Sequence, residues 1–155
     1  MNEITDQILV NLKIISKINP QDKLKVNYNN TSSIDKDNML SSIYRWIHGD
    51  SRDKTIQFIK NVITDAVNIT NDIMNSTYIN NKNKKTIYEE NEFNKSLTTL
   101  NLIKHELENA KTGIHNLKTT YELDIQIVSQ LEVIMSRIDN HLSIIQRKLK
   151  DINDT

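Results

Sequence analysis

Apolar side chains recur at intervals of three and four residues along much of the chain's second half, from Phe93 to Ile152. This spacing puts them on one face of an α-helix, and helices with such a face pack at shallow angles in bundles and coiled coils. The chain also has only two glycines and one proline among its 155 residues. Sandwiches and barrels need many tight turns, which use both residue types. The sequence therefore predicts an all-α fold, an antiparallel helical bundle.

This long apolar pattern can be interpreted as one continuous helix or as two. Asp124 places a charge where the pattern requires an apolar side chain, and as an N-cap it would begin a second helix. Thr119 and Glu122 also match a capping box, so the second helix could begin a few residues earlier. Gly113 is a competing break point, although a glycine within a helix costs only about 1 kcal/mol. We favour two antiparallel helices that separate between residues 119 and 124.

The first half of the chain contains further amphipathic segments. Ile4, Ile8, Leu12, Ile15 and Ile18 share one face of the first segment, and such a face is typical of a helix packed on a core. The predicted main helices span about 3–18, 52–78, 88–121 and 124–151, and a short helix spans 36–48. We expect one domain over residues 1–155, because a chain of this length can bury one sizeable core. A polar connector (19–35) and a mobile, lysine-bearing loop (79–86) would join its helices.

The segment RWIHGDSRDKT, residues 45–55, has the composition of a joint between two helices. Gly49 stands where a helix would end in a left-handed cap, a conformation that glycine adopts without strain. Asp50 and Ser51 follow as residues that favour the N-cap of the next helix. We predict these three residues, together with Asp124, as structural caps.

The same joint offers a possible binding surface. Its members are Arg45, Trp46, Arg52, Lys54 and Lys60. Basic side chains beside an aromatic ring can bind nucleic acid through phosphate contacts and base stacking. Acidic residues interleave with these cations, however, and Trp46 also continues an apolar face. We favour a position for Trp46 in the core over a stacking role.

Composition argues against several classes of function. The chain has no cysteine, and its four histidines show no Glu-x-x-His pairing of the kind that di-iron bundles use. A glycine-rich phosphate loop is also missing. We therefore expect no metal, no cofactor and no catalytic residues. Formal net charge is zero, so no overall charge attracts the chain to membranes or nucleic acid. The N-terminal residues do not resemble a signal peptide, which predicts a protein that is not secreted.

Three stretches carry a resemblance to a known group of proteins: NLKIISKINPQDKL, RWIHGDSRDKTIQFI and GIHNLKTTYELDIQIVSQLEVI. They are similar to an uncharacterised family of short helical proteins encoded by nucleocytoplasmic large DNA viruses, the giant viruses. The most specific part is a G-x-x-N-L-K-x-T-Y segment. It is formed here by Gly113, Asn116, Leu117, Lys118, Thr120 and Tyr121. The family has no established activity that could be transferred to this chain.

The resemblance implies a setting for the protein, in the virion or the host cytoplasm. The leading hypothesis is a non-enzymatic structural or accessory protein of a large DNA virus, a minor virion component that acts through protein–protein contacts. Expected partners are other viral proteins, such as capsid proteins, or a second copy of the chain. The alternative hypothesis is a nucleic-acid-associated protein that uses the basic joint around residues 45–60.

Overall fold

The computed structural model describes residues 3–19, 52–83 and 86–154, with only the backbone described for Arg52 and Asp53. This part of the chain is all-α, as predicted, and its four long helices pack as an antiparallel bundle. The helices are α1 (Glu3–Ser16), α2 (Arg52–Met74), α3 (Thr77–Asn80), α4 (Ile87–Thr120) and α5 (Ile125–Asn153). The predicted helix over 36–48, and the predicted connector beyond Asn19, lie outside the described residues.

The two longest helices, α4 and α5, run antiparallel. Lys111 pairs with Asp139, and the Nζ of Lys118 lies 3.9 Å from the Oε1 of Glu132. A later residue of α4 thus meets an earlier residue of α5. Four residues, 121–124, separate the helices. The prediction of two helices instead of one rod is therefore confirmed.

The joint between α4 and α5 begins at Tyr121, whose amide donates to the carbonyl of Leu117. Thr119 is still within α4, so the capping box predicted for Thr119 and Glu122 is wrong. Asp124 instead caps α5, because its Oδ1 accepts from the amide of Ile127 at 3.2 Å. This is the role predicted for Asp124, and it satisfies an amide that has no partner within the helix.

Helix α2 runs parallel to α5. Lys60 contacts Gln130, and further along both helices Thr70 contacts His141. Helix α1 likewise runs parallel to α4, because Gly113 meets Ile15 and, three residues later in both segments, Asn116 contacts Ile18. Consecutive long helices therefore alternate in direction, while each helix also packs on a parallel neighbour.

Gly113 lies where α1 and α4 make their closest approach. A Cβ at this position would overlap the carbonyl oxygen of Ile15 and lie 2.8 Å from its carbonyl carbon. Three residues later, the Nδ2 of Asn116 donates to the carbonyl of Ile18 at 2.7 Å. Gly113 therefore does not break α4; it lets the backbone of α1 reach the backbone of α4.

The bundle's core consists largely of isoleucine and leucine. The largest side chains with essentially no exposure are Leu12, Ile15, Ile59, Ile63, Leu100, Ile103, Leu107, Ile114, Leu131, Ile138 and Ile145. Most of them belong to the apolar faces predicted from the sequence. Ile4 is an exception, since it was expected on the buried face of α1 and is 67% exposed. The neighbouring Thr5 points into the core instead and is 3% exposed.

The helix predicted over 52–78 ends four residues early. Its last residue is Met74, after which the hydroxyl of Ser76 accepts from the amide of Ile79 and begins α3. The Nδ2 of Asn80 donates back to the carbonyl of Met74 at 3.0 Å, which closes this turn. The loop predicted to begin at residue 79 therefore begins at Asn81. Lys84 and Lys85, two of its three lysines, lie outside the described residues.

Thr86 is the N-cap of α4. The Oγ1 of Thr86 accepts from the amide of Glu89 at 3.0 Å and donates to its Oε1 at 3.1 Å. The acidic side chains of Glu89 and Glu90 also stand in the first turn, where they complement the positive end of the helix dipole. Helix α4 thus begins at Ile87, one residue before its predicted start.

Candidate functional site

The basic surface predicted around residues 45–60 is only partly described. Arg45, Trp46, Gly49, Asp50 and Ser51 lie outside the described residues. Arg52 begins α2, but its side chain is not described. Lys54 is exposed, whereas Lys60 is half-buried and its Nζ donates to the Oε1 of Gln130 on α5 at 3.4 Å. The described residues thus direct attention to α5 and its contact with α2.

The seam between α2 and α5, which continues into α3, carries three cations that donate to neutral groups. Besides Lys60, the Nη1 of Arg137 donates to the Oγ1 of Thr64 at 2.7 Å. The Nζ of Lys148 donates to the Oδ1 of Asn80. Within the described ranges, none of these cations lies within 4.0 Å of a carboxylate oxygen. We call Lys60, Arg137 and Lys148 the cation row.

The opposite side of α5 has the reverse arrangement. Its acidic side chains Asp139 and Glu132 face α4 and pair with Lys111 and Lys118. Between Glu132 and Asp139, charges of opposite sign therefore occupy different sides of α5: carboxylates toward α4, and Arg137 toward α2. The formal net charge of the chain is zero, so this separation of positive from negative side chains is not apparent from the composition.

A buried polar pair lies beneath the cation row. Thr70 is fully buried and His141 is 4% exposed, and the Oγ1 of Thr70 contacts the Nε2 of His141. The threonine Oγ1 also lies 2.9 and 3.0 Å from the carbonyl oxygens of Ala66 and Val67. The hydroxyl has a single proton, so it either donates to a carbonyl and accepts from Nε2–H, or donates to Nε2 itself, and the tautomer of the neutral imidazole follows from that choice. Burial lowers the pKa of His141 below its ordinary value, and the positive charge of Arg137 lowers it further.

The outer face of α5 is exposed and carries no charge. We define this outer face as Gln126, Ser129, Val133, Ser136, Asn140 and Ile144, which follow one another at intervals of three and four residues. Val133 is 67% exposed and Ile144 is 43% exposed. At the N-terminal end of the same helix, Leu123 and Ile125 are also exposed. Charged side chains border this face: exposed Arg137 is turned only about 20° from Ile144 around the helix axis, and exposed Arg147 follows one turn beyond Ile144, at 100° per residue. The residues of the face itself carry no charge, and depletion of charge is typical of interface cores.

The segment that carries the family resemblance has structural roles here. Gly113 and Asn116 hold α1 against α4, and Lys118 reaches Glu132 on α5. The hydroxyl of Thr120 donates to the carbonyl of Asn116 at 2.9 Å in the last turn of α4. These contacts account for the residue types at Gly113, Asn116, Lys118 and Thr120 through packing.

Two of the buried polar residues are titratable, and neither was anticipated from the sequence. Glu106 is 8% exposed, and His141 is the partner of Thr70 described above. Each lies three residues after a fully buried isoleucine, Ile103 and Ile138 respectively. That spacing marks the buried face of a helix. The signal was present in the sequence, but only apolar residue types were assigned to the buried faces.

Comparison of the chain with models of known protein families, with curated proteins and with solved structures gives no match. No helix in residues 3–19, 52–83 and 86–154 is long and apolar enough to cross a membrane. In the same ranges, no three side chains of the metal-binding types come together to hold an ion. A function for this chain must therefore be inferred from its own surfaces, of which those of α5 are the most distinctive.

Proposed function

We propose that this protein is a non-enzymatic structural or accessory protein that acts through protein–protein contacts. The contact surface is the outer face of α5, extended at one end by Leu123 and Ile125. The setting is a large DNA virus, in which the protein is a minor component of the virion. Other viral proteins, with capsid proteins first among them, are the proposed partners, and a second copy of the chain is the alternative.

The absence of charge on the outer face of α5 is the observation that carries this proposal. From Gln126 to Ile144 the face extends over about 27 Å of helix, at a rise of 1.5 Å per residue. Its serines and asparagine have short side chains, so a partner helix can approach closely. Val133 and Ile144 then provide apolar area, which drives association when it is removed from water. A face that only met solvent would be expected to carry charges like the rest of the chain.

The viral setting is supported by the sequence resemblance alone. The segment from Gly113 to Tyr121, the most specific part of that resemblance, holds three long helices together. A family that retains these residues would retain this bundle, and with it a rigid α5. Rigid helices are suitable for permanent contacts, because little conformational entropy is lost when they bind.

The decisive experiment is recovery of the tagged protein from infected cells and from purified particles, followed by mass spectrometry of the proteins that accompany it. We expect capsid proteins in stoichiometric yield, retained at high salt because an uncharged contact is not screened. The test variant combines Val133→Lys and Ile144→Lys, which introduce charge into the outer face of α5. It should lose these partners while its helical circular dichroism is unchanged.

A matched variant separates this surface from a general effect of added charge. Asn94→Lys with Thr98→Lys places the same two charges on exposed positions of α4. We expect this control to retain every partner. Equal recovery of partners by the α5 variant and the control would rule out the outer face of α5 as the contact. Analytical ultracentrifugation of the same proteins would show whether the partner is a second copy.

A further inference from the structure

The cation row is separated from the acidic residues that could neutralise it. On α5, Glu132 and Asp139 pair with lysines of α4, on the opposite side of the helix. On α2, the exposed Asp65 and Asp72 are turned about 80–100° away from Thr64 around the helix axis, at 100° per residue. Asp151 and Asp154 line the same pocket as Lys148, but in the described structure neither forms an ion pair with it. The positive charge of the row is therefore available to a ligand.

The spacing of the row suits an extended ligand better than a small anion. Lys60 lies level with Gln130, and the positions of Gln130, Arg137 and Lys148 along α5 are separated by about 10 and 16 Å, at a rise of 1.5 Å per residue. A single phosphate could contact only one of these cations. A nucleic-acid strand in a duplex has one phosphate per 3.4 Å of axis. It could therefore contact all three along about 27 Å.

Neutral hydrogen-bonding groups lie beside each cation. Gln130, Thr64 and Asn80 are the present acceptors of the three cations. Their amide N–H and hydroxyl groups can also donate to phosphate oxygens, which proteins contact with these side chains as well as with Arg and Lys. A ligand phosphate could thus accept from the cation in place of Gln130, Thr64 or Asn80. The displaced side chain could then donate its own N–H or O–H to the same phosphate.

We propose that the seam between α2 and α5 binds the phosphate backbone of nucleic acid through Lys60, Arg137 and Lys148. The binding does not depend on base sequence, because the three cations contact phosphate groups, which carry no sequence information. This site differs from the basic joint predicted at residues 45–60, with which it shares only Lys60. The row borders the outer face of α5, because Arg137 is turned only about 20° from Ile144 around the helix axis, at 100° per residue.

The test is fluorescence anisotropy with a labelled single-stranded oligonucleotide of mixed sequence, titrated with the full chain at several salt concentrations. The seam variant combines Lys60→Gln, Arg137→Gln and Lys148→Gln. The control combines Lys104→Gln, Lys111→Gln and Lys118→Gln, which removes the same charge from cations that pair with carboxylates. We expect the seam variant to lose at least about tenfold in affinity and about two units of salt slope, at roughly 0.7 per contact. The control should bind like the wild type.

Other outcomes would overturn the proposal. If both variants lose the same affinity, net charge and not the seam governs the binding. If the wild-type protein does not bind the oligonucleotide at low salt, the site does not exist. Competition by polyglutamate as effective as that by unlabelled oligonucleotide would assign the row to an acidic protein. The charge-preserving variant Lys60→Arg, Arg137→Lys, Lys148→Arg must keep its affinity. If the triple glutamine variant does not fold, Arg137→Gln alone, at an exposed position, must still lower affinity severalfold.

Discussion

The two pairs of parallel helices in this bundle meet in opposite ways. Helices α1 and α4 meet backbone to backbone at Gly113, where no side chain separates them. Helices α2 and α5 meet through polar side chains, with Thr70 and His141 buried between them and Arg137 bonded to Thr64 at their solvent edge. One contact depends on the absence of a side chain, and the other on the chemistry of several.

This difference predicts which kind of change will weaken each contact. A contact between backbones is sensitive to added volume, because close-packed atoms cannot yield without moving the helices. A contact that includes an imidazole is sensitive to protonation, and its exposed cations are sensitive to salt and to anionic ligands. The α1–α4 pair should therefore be a fixed part of the structure, whereas the α2–α5 pair can respond to its surroundings.

The largest effect should come from Gly113→Ala. The added Cβ would overlap the carbonyl oxygen of Ile15, so α1 must move away from α4 and uncover the core side chains Leu12 and Ile15. We expect a loss of at least about 3 kcal/mol in the free energy of unfolding, the upper end of the range for overpacked cores. Chemical denaturation followed by circular dichroism measures it. Thr112→Ala, at the exposed neighbouring position, is the control and should change stability by less than about 0.5 kcal/mol. A near-neutral Gly113→Ala would show that α1 and α4 do not meet this closely.

The close approach at Gly113 shows which features of the fold could be predicted from the sequence and which could not. The three-four spacing predicted the helices and most of the core, because that spacing follows from the geometry of a single helix. Asp124 was recognisable for the same reason, as a local cap. Gly113 was interpreted only as a weak point in a helix, since what it packs against is Ile15, which is far away in the sequence. A sequence pattern predicts which face of each helix is buried, but it does not predict which residues of two packed helices lie side by side.

The cation row could not be predicted for the same reason. Lys54 was grouped with Lys60 because they are near each other in the chain. Six residues along a helix, however, turn a side chain by about 240°, so these two point to different sides. Lys60 instead lies along the same seam as Arg137 and Lys148, whose positions depend on how α2 and α3 align with α5. The burial of Thr5 in place of Ile4 has the same cause on a smaller scale, because the packing of α1 on its neighbours determines which of two adjacent helix faces is buried.

An intermediate effect should appear when the pH is lowered. The pKa of His141 is lowered in the folded protein, while in the unfolded chain histidine has a pKa of about 6.5. As the pH falls below about 6.5, the unfolded chain binds a proton that folded His141 does not, so the free energy of unfolding decreases. The decrease continues until the pH passes the lowered pKa, and each unit of pKa difference corresponds to about 1.4 kcal/mol. Above pH 7 this contribution to stability is constant.

Denaturation curves between pH 7.5 and pH 5.5 test this expectation with a matched pair of variants. His141→Gln should unfold more easily at pH 7.5, because the contact with Thr70 is disturbed, but should lose less stability on acidification than the wild type. His115→Gln removes an exposed imidazole and should retain the pH dependence of the wild type. If both variants retain it, His141 takes up its proton without disturbing the contact between α2 and α5. The distinction drawn between the two helix pairs would then not extend to protonation.

The smallest effects should come from the hydrogen bonds that cross each pair, and these compare the pairs most directly. Asn116 donates to the carbonyl of Ile18, and Arg137 donates to Thr64, both at 2.7 Å. The first bond is partly buried and satisfies a carbonyl just beyond the end of α1, whereas the second is exposed and water can replace it. We expect Asn116→Ala to cost about 1 kcal/mol and Arg137→Gln to change stability by less than about 0.5 kcal/mol. Thermal unfolding at two salt concentrations measures both. Equal costs would mean that the seam between α2 and α5 is as fixed as the contact at Gly113, and that Arg137 is held for stability instead of being available to a ligand.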